Sequence, residues 1–316
     1  MAVTVAGAAR ADAVASLVHD RRRGGAPVAE HDLIIRGATV VDGSGEPPFA
    51  ADVAVAQGVI TEVGRVAGTA SREIDADGAV VAPGWVDIHA HYDGQATWES
   101  RLIPSSWHGV TTVVVGNCGV GFAPVRTQDR ERLIELMEGV EDIPGTALHE
   151  GLAWDWESFP EYMDAVASRP HDIDIGLQVP HGALRLYVMG ERGAVRDAAR
   201  PEEIAEMARL AREAVEAGAL GFTTSRTRNH RTSRGDWTPT LTAAANELAG
   251  IAEGLGAAGR GVLEVVSDFL DLDEEAATII GMARASGRPL SISVVQADLF
   301  PERWREIMGA ISEARA

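Results

Sequence analysis

The sequence predicts an α/β protein: about six βα units of a (β/α)8 TIM-like barrel, preceded by a small β-sandwich-like domain. Three observations carry this prediction. Short apolar runs separated by Gly and Asp fill residues 31–82. After Pro83-Gly84 the pattern changes to apolar strands alternating with amphipathic helices, and six such alternations follow. Alternation of this kind implies a parallel sheet with helices outside it, and closure needs two more units, so the chain reads as most of a barrel without its closure.

The elements follow in order. Residues 1–30 read as a flexible N-terminal extension containing the break Arg21-Arg22-Arg23-Gly24-Gly25. Within the small β domain, 31–82, short strands fall at 33–35, 39–41, 52–56, 59–63, 73–75 and 79–81. Turns at Asp42-Gly43-Ser44-Gly45 and Gly58 make them an antiparallel meander or small sandwich. In the partial barrel, 83–316, strands are predicted at 85–91, 111–115, 173–179, 220–224, 262–266 and 290–295. Helices are predicted at 130–138, 201–217, 242–258, 274–285 and 301–314. The helix over 201–217 is the clearest: Pro201 and two acids open it, Ile204, Met207, Leu210, Ala211 and Ala214 recur at helical spacing, and Gly218 stops it.

Composition narrows the partners. Against 47 acidic side chains stand 28 basic ones, a formal charge of −19, and such a surface repels a phosphate backbone. All 28 are arginines, so no lysine can form a Schiff base or, carbamylated, bridge two metals. One cysteine excludes an intramolecular disulfide and suits a reducing compartment. No apolar run approaches the roughly 18 residues of a spanning helix, and no basic n-region precedes one. These features predict a cytoplasmic protein with neither nucleic-acid nor membrane partners.

Two motifs carry chemistry. In Asp87-Ile88-His89-Ala90-His91 the histidines stand at i and i+2, which on a strand places both on one face, at the barrel mouth where active sites form. Imidazoles there suit Zn²⁺ or a similar divalent metal. Directly after the second barrel strand comes Gly116-Asn117-Cys118-Gly119, placing the only cysteine beside the histidines, with glycines that imply close backbone approach. His89, His91 and Cys118 are therefore the candidate metal ligands. Asp93, His181 and Arg226 are candidates for supporting the site or binding substrate, Arg226 as one of the arginines of a basic loop able to fork a carboxylate.

These motifs, with Gly37-Ala38-Thr39-Val40-Val41-Asp42-Gly43, His181-Gly182-Ala183-Leu184-Arg185 and Gly218-Ala219-Leu220-Gly221-Phe222-Thr223-Thr224, resemble the amidohydrolase superfamily. The cysteine motif narrows the resemblance to its D-aminoacylase (N-acyl-D-amino-acid deacylase) branch. The resemblance implies metal-assisted hydrolysis of a linear amide in a small-molecule N-acyl amino acid. It implies that His89, His91 and Cys118 hold Zn or another divalent metal, and that the proton-transferring aspartate of the last barrel strand lies beyond residue 316. The branch also places metal-binding histidines after strands five and six. Here those segments read Glu264-Val265-Val266-Ser267-Asp268 and Ser293-Val294-Val295-Gln296-Ala297-Asp298, with no histidine. Their oxygen donors, Glu264, Asp268, Gln296 and Asp298, read as satisfied supporting or surface groups. The alternatives are a homologue that keeps the fold but acts by binding, and a hydrolase of cyclic amides.

Overall fold

The computed structural model describes residues 29–296, 298 and 300–315; nearly all of the extension expected over 1–30 lies outside them. The chain divides into two compact units between Gly84 and Trp85.

In the first unit, β1 (His31–Val40), β2 (Phe49–Ala56), β3 (Val59–Gly64), β4 (Ala70–Asp75) and β5 (Val80–Val81) form one sheet in the order β3-β2-β1-β4, with β5 also on β1. The two predicted runs at 33–35 and 39–41 are one strand. Gly37, at φ 64°, absorbs a register shift between Ile35 and Ala38, after which pairing with β2 resumes. The antiparallel meander is corrected: β4 and β5 both run parallel to β1, because the chain crosses back after β3 to reach the free edge of β1. Successive residues of β2 face opposite sides, so Val53 packs with Ala38, Val40 and Ala51, while Ala54 packs with Ile34 and Val66.

The second unit is the expected α/β architecture. β6 (Trp85–Asp87), β7 (Val110–Val115), β8 (Asp174–Pro180), β9 (Gly221–Arg226), β10 (Val262–Ser267) and β11 (Leu290–Ser293) lie side by side in chain order, every neighbouring pair parallel. Five spacings of about 4.8 Å would hold the edges of a flat sheet about 24 Å apart. Yet Ser293 Oγ at the end of β11 lies 3.4 Å from Nδ1 of His89, two residues past β6. The sheet is therefore curled like a barrel wall, and the C-terminal ends of its strands converge.

Helices α1 (Arg130–Glu141), α2 (Gly145–Gly151) and α3 (Phe159–Ala167) fill the long connection from β7 to β8. Then come α4 (His181–Met189), α5 (Glu191–Ala194), α6 (Pro201–Ala217), α7 (Ala245–Ala258), α8 (Leu272–Ser286) and α9 (Arg303–Arg315). Helices α2 to α5 are not anticipated by the sequence reading; all four are nine residues or shorter and short on periodic signal, and α4 is buried nearly all round. On α6 the buried stripe is Met207, Ala211, Ala214 and Val215, of which Met207 and Val215 contribute about 1.5–3 kcal/mol each. Among the described residues no helix is long and apolar enough to cross a membrane.

Candidate metal centre

The histidine pair follows β6 instead of lying within it. Asp87 Oδ1 accepts the His89 N–H at 3.1 Å and turns the chain, so the strand ends four residues earlier than its apolar pattern suggests. The segment stays against β7 through the Ala90 N–H, which donates to the Val114 carbonyl at 3.0 Å. The two imidazoles still meet edge to face, with centroids 5.3 Å apart.

Cys118 is delivered by a tightly held turn after β7. Gly116 sits at φ 86°, and a Cβ there would lie 2.1 Å from the Gln178 carbonyl oxygen, so only glycine lets the turn approach β8 this closely. The buried Asn117 amide donates to the carbonyls of Ala90 (3.1 Å) and Val114 (2.8 Å) and accepts from Gln178 Nε2 (2.9 Å). The Thr223 hydroxyl donates to the Gly116 carbonyl and accepts the Gly119 N–H at 3.1 Å. This lattice sustains Cys118 at φ 55°, a left-handed conformation that costs a side-chain-bearing residue about 1–2 kcal/mol. Its Sγ ends 3.1 Å from His89 Nε2.

One ligating atom from each of His89, His91 and Cys118 lies within 4.8 Å of the other two. Two carboxylates flank this triad. Glu141, the last residue of α1, places Oε1 3.3 Å from His91 Nε2, and Glu264 of β10 places Oε1 3.7 Å from His89 Nδ1. Ser293 Oγ donates to Glu264 Oε1 at 3.4 Å. His91 Nδ1 and Glu264 Oε2 are buried without hydrogen-bond partners.

Burial dominates the electrostatics. It pushes His91 down to about 3, helped by His89 and His230, and lowers His89 against the pull of Asp87. It raises Glu141 and Glu264 to about 7 each. The Cys118 thiol is pushed up by burial and then by Glu141 and Glu264. Neutral imidazoles offer free lone pairs, while the thiol and acids hold protons that a cation displaces. Two nitrogens, a sulfur and adjacent carboxylates are a donor set suited to a borderline divalent metal, so the residues present fit such an ion.

The remaining candidates separate. Asp93 is buried with Oδ2 unpartnered; burial raises its carboxyl well above the usual range, and its backbone carbonyl accepts the Tyr162 hydroxyl at 2.7 Å. His181 begins α4 and is fully enclosed between Thr224 Oγ1 (2.8 Å) and Glu247 Oε1 (2.9 Å). It therefore braces the strand that holds the Cys118 turn. Arg226 needs correcting as a carboxylate fork for substrate. Its guanidinium already grips Glu275 on α8 through Nε and Nη2 and donates to the Ala243 carbonyl. On the same loop, His230 receives or donates a 2.8 Å bond with Ser225 Oγ, and Arg228 is exposed with its backbone N–H on Asp268. Of the tryptophans, Trp156 is core and Trp107 is exposed.

Sequence reasoning missed Glu141 and undervalued Glu264. Glu141 closes an ordinary amphipathic helix, where an acid reads as solvated, and nothing local announces that it turns back to the histidines. Glu264 sits in β10 between Leu263 and Val265, both fully enclosed, and a lone acid between apolar neighbours is the signal that could have marked it.

A curled parallel sheet with a histidine pair after its first strand and a cysteine after its second sets three candidate metal donors at the C-terminal strand ends, where (β/α) barrels carry their sites. The sequence profile described as "Amidohydrolase family" matches residues 72–313, and the chain belongs to that family. It is similar to a D-aminoacylase of Alcaligenes xylosoxydans xylosoxydans, 35% identical over 194 residues, covering 61% of this chain and 37% of that protein. An N-acyl-D-aspartate deacylase of the same organism is 34% identical over 197 residues, covering 62% and 37%. Among solved structures, a D-aminoacylase described as having a binuclear metal centre superposes with a TM-score of 0.73 at 29% identity, covering 90% of this chain and 56% of that one. An N-acyl-D-glutamate deacylase of Bordetella bronchiseptica, complexed with zinc and a phosphonate inhibitor, gives 0.69 at 28% identity with the same coverage. The chain thus spans little more than a third of the length of these curated relatives.

Proposed function

We propose that this protein hydrolyses the amide bond of N-acyl-D-amino acids with a divalent metal, zinc being the leading candidate, held by His89, His91 and Cys118. The observation that carries this reading is the convergence of two imidazoles and the only cysteine within 4.8 Å at the converging strand ends. When bound, the metal polarises the amide carbonyl and brings its water towards neutral pKa. The chain's own residues do the rest. Glu264 stands 3.7 Å from His89 Nδ1, within ion-pair range of the ring nitrogen that faces away from the cysteine. Cys118 is held in place by the Asn117 and Thr223 bonds, so its sulfur needs no rearrangement to act as a donor. Exposed Arg228, on the β9 loop beside His230, offers a cation for the substrate carboxylate now that Arg226 is engaged.

The test is metal analysis of the full-length protein together with hydrolysis of N-acetyl-D-amino acids and their L-enantiomers. Bound divalent metal with D-selective deacylation is expected. A metal-free protein inactive on every N-acyl-D-amino acid, with or without added Zn²⁺, overturns the proposal.

A further inference from the structure

We propose that Glu141, from the C-terminal end of α1, is a direct donor to the metal, taking the coordination place for which this chain has no histidine in β10 or β11. This rests on the reading of His89, His91 and Cys118 as ligands, and goes beyond it in naming a carboxylate donor delivered by a helix.

The two carboxylates of the site face different sides of it. Tetrahedral ligands at about 2.0–2.3 Å stand about 3.3–3.7 Å from one another along the tetrahedron's edges. Glu141 Oε1 is 3.3 Å from His91 Nε2, and Cys118 Sγ is 3.1 Å from His89 Nε2. Glu264 instead approaches His89 at Nδ1, the ring nitrogen away from the sulfur, where a carboxylate orients an imidazole. The unpartnered Oε2 of Glu264, a residue 3% exposed, shows that this polar pocket is built with spare acceptor capacity.

The fold places Glu141 deliberately. Gly139, two residues earlier, lets α1 press against the loop after β9: a Cβ there would lie 2.2 Å from the Thr232 carbonyl carbon. Glu135 reinforces the contact, its carbonyl accepting the Ser233 N–H at 2.9 Å. At the other side Glu138 Oε1 accepts the Gly145 N–H at 2.8 Å, and Asp142 turns the chain at φ 55° immediately after Glu141. A helix end clamped on both sides presents its last side chain with little freedom.

The experiment compares Co²⁺ binding by the full-length protein with that of Glu141→Gln, Glu264→Gln and Cys118→Ser, using competition with a chelator for affinity and absorption for geometry. Losing an orienting partner costs about 10–100-fold in metal affinity. Glu141→Gln is expected to lose more than about 100-fold and to shift the d–d bands while keeping the sulfur-to-cobalt charge-transfer band. Glu264→Gln is expected to stay within the 10–100-fold range with its d–d bands unmoved. If Glu141→Gln keeps wild-type affinity and bands while Cys118→Ser loses the charge-transfer band, the Glu141 assignment falls and the triad stands. If wild type shows no charge-transfer band, the triad itself falls. Should Glu141→Gln not fold by near-ultraviolet circular dichroism, Glu141→His supplies a nitrogen donor. It must bind Co²⁺ with shifted d–d bands, and unshifted bands overturn the assignment.

Discussion

Glu247→Gln probes the buried network beneath the site. The Glu247 carboxylate accepts from Arg185 Nη1 through both oxygens, each at 2.8 Å, and lies 2.9 Å from His181 Nε2. Arg185 and Glu247 are each 1% exposed. Burial raises the Glu247 carboxyl, but His181 and Arg185 outweigh it and hold it below its usual range; burial lowers His181 and Arg185. The amide variant keeps the shape and removes the charge, leaving the guanidinium enclosed without a counterion. Removing one member of such a pair costs about 3–5 kcal/mol. With a urea m-value of about 3 kcal/mol/M, the unfolding midpoint should fall by about 1–1.7 M. The assay is urea unfolding followed by tryptophan fluorescence. The double variant Arg185→Met/Glu247→Leu, which removes both charges, should be more stable than Glu247→Gln. A Glu247→Gln midpoint within about 0.3 M of wild type would refute the reasoning, because the buried charge would then be compensated elsewhere.

Three further outcomes are expected. Cys118→Ser should retain less than about a tenth of the wild-type metal after dialysis, read by elemental analysis; unchanged content contradicts a sulfur ligand. Gly116→Ala must hold a β-carbon at φ 86° against the Gln178 carbonyl, costing at least about 1–3 kcal/mol in thermal or urea unfolding, and wild-type stability would contradict it. The metal-free protein should lose stability above pH 6.5. Glu141 and Glu264 have folded values of about 7, above the 4.5 of a free glutamate, so their contribution is complete below 4.5 and fades as pH rises through 7. His91, held near 3, works oppositely, adding stability between about 3 and 6.5 and nothing beyond. From pH 6.5 to 8.0 the two carboxyls together should cost about 1–2 kcal/mol in chelator, and saturating metal should remove the loss; a rise with pH in chelator sinks the argument.

The parts of this molecule that were legible in its sequence are those encoded by local spacing. The apolar stripe of Met207, Ala211 and Ala214 needs no partner to be read, and neither does the pairing of His89 with His91. Parallel pairing of β4 with β1 is different: it depends on where the chain goes after β3, which no period in Glu73-Ile74-Asp75 records. Arg226 reads as free in the sequence because its partner, Glu275, is 49 residues away on α8. Glu141 stays hidden for the same reason, since its contact with His91 is long-range. The boundary at His181 is equally unmarked: Pro180 closes β8, and the next residue already starts a helix.

The spacing of the donors along the chain has a kinetic consequence. His89, His91, Cys118 and Glu141 all fall within one contiguous stretch, 89–141, whereas the contact that curls the sheet, His89 with Ser293, spans 204 residues. Closing a loop that long carries an entropic cost on the order of 5 kcal/mol, while joining 89 to 118 costs on the order of 3. During synthesis the ligand-bearing stretch emerges well before β10 and β11 exist. The Cys118 turn is pinned by Gln178 and Thr223, so the set is in place once β8 and β9 have folded onto it, still ahead of β10 and β11. In refolding with Co²⁺, the sulfur-to-metal band should then rise before the tryptophan signal of the complete fold.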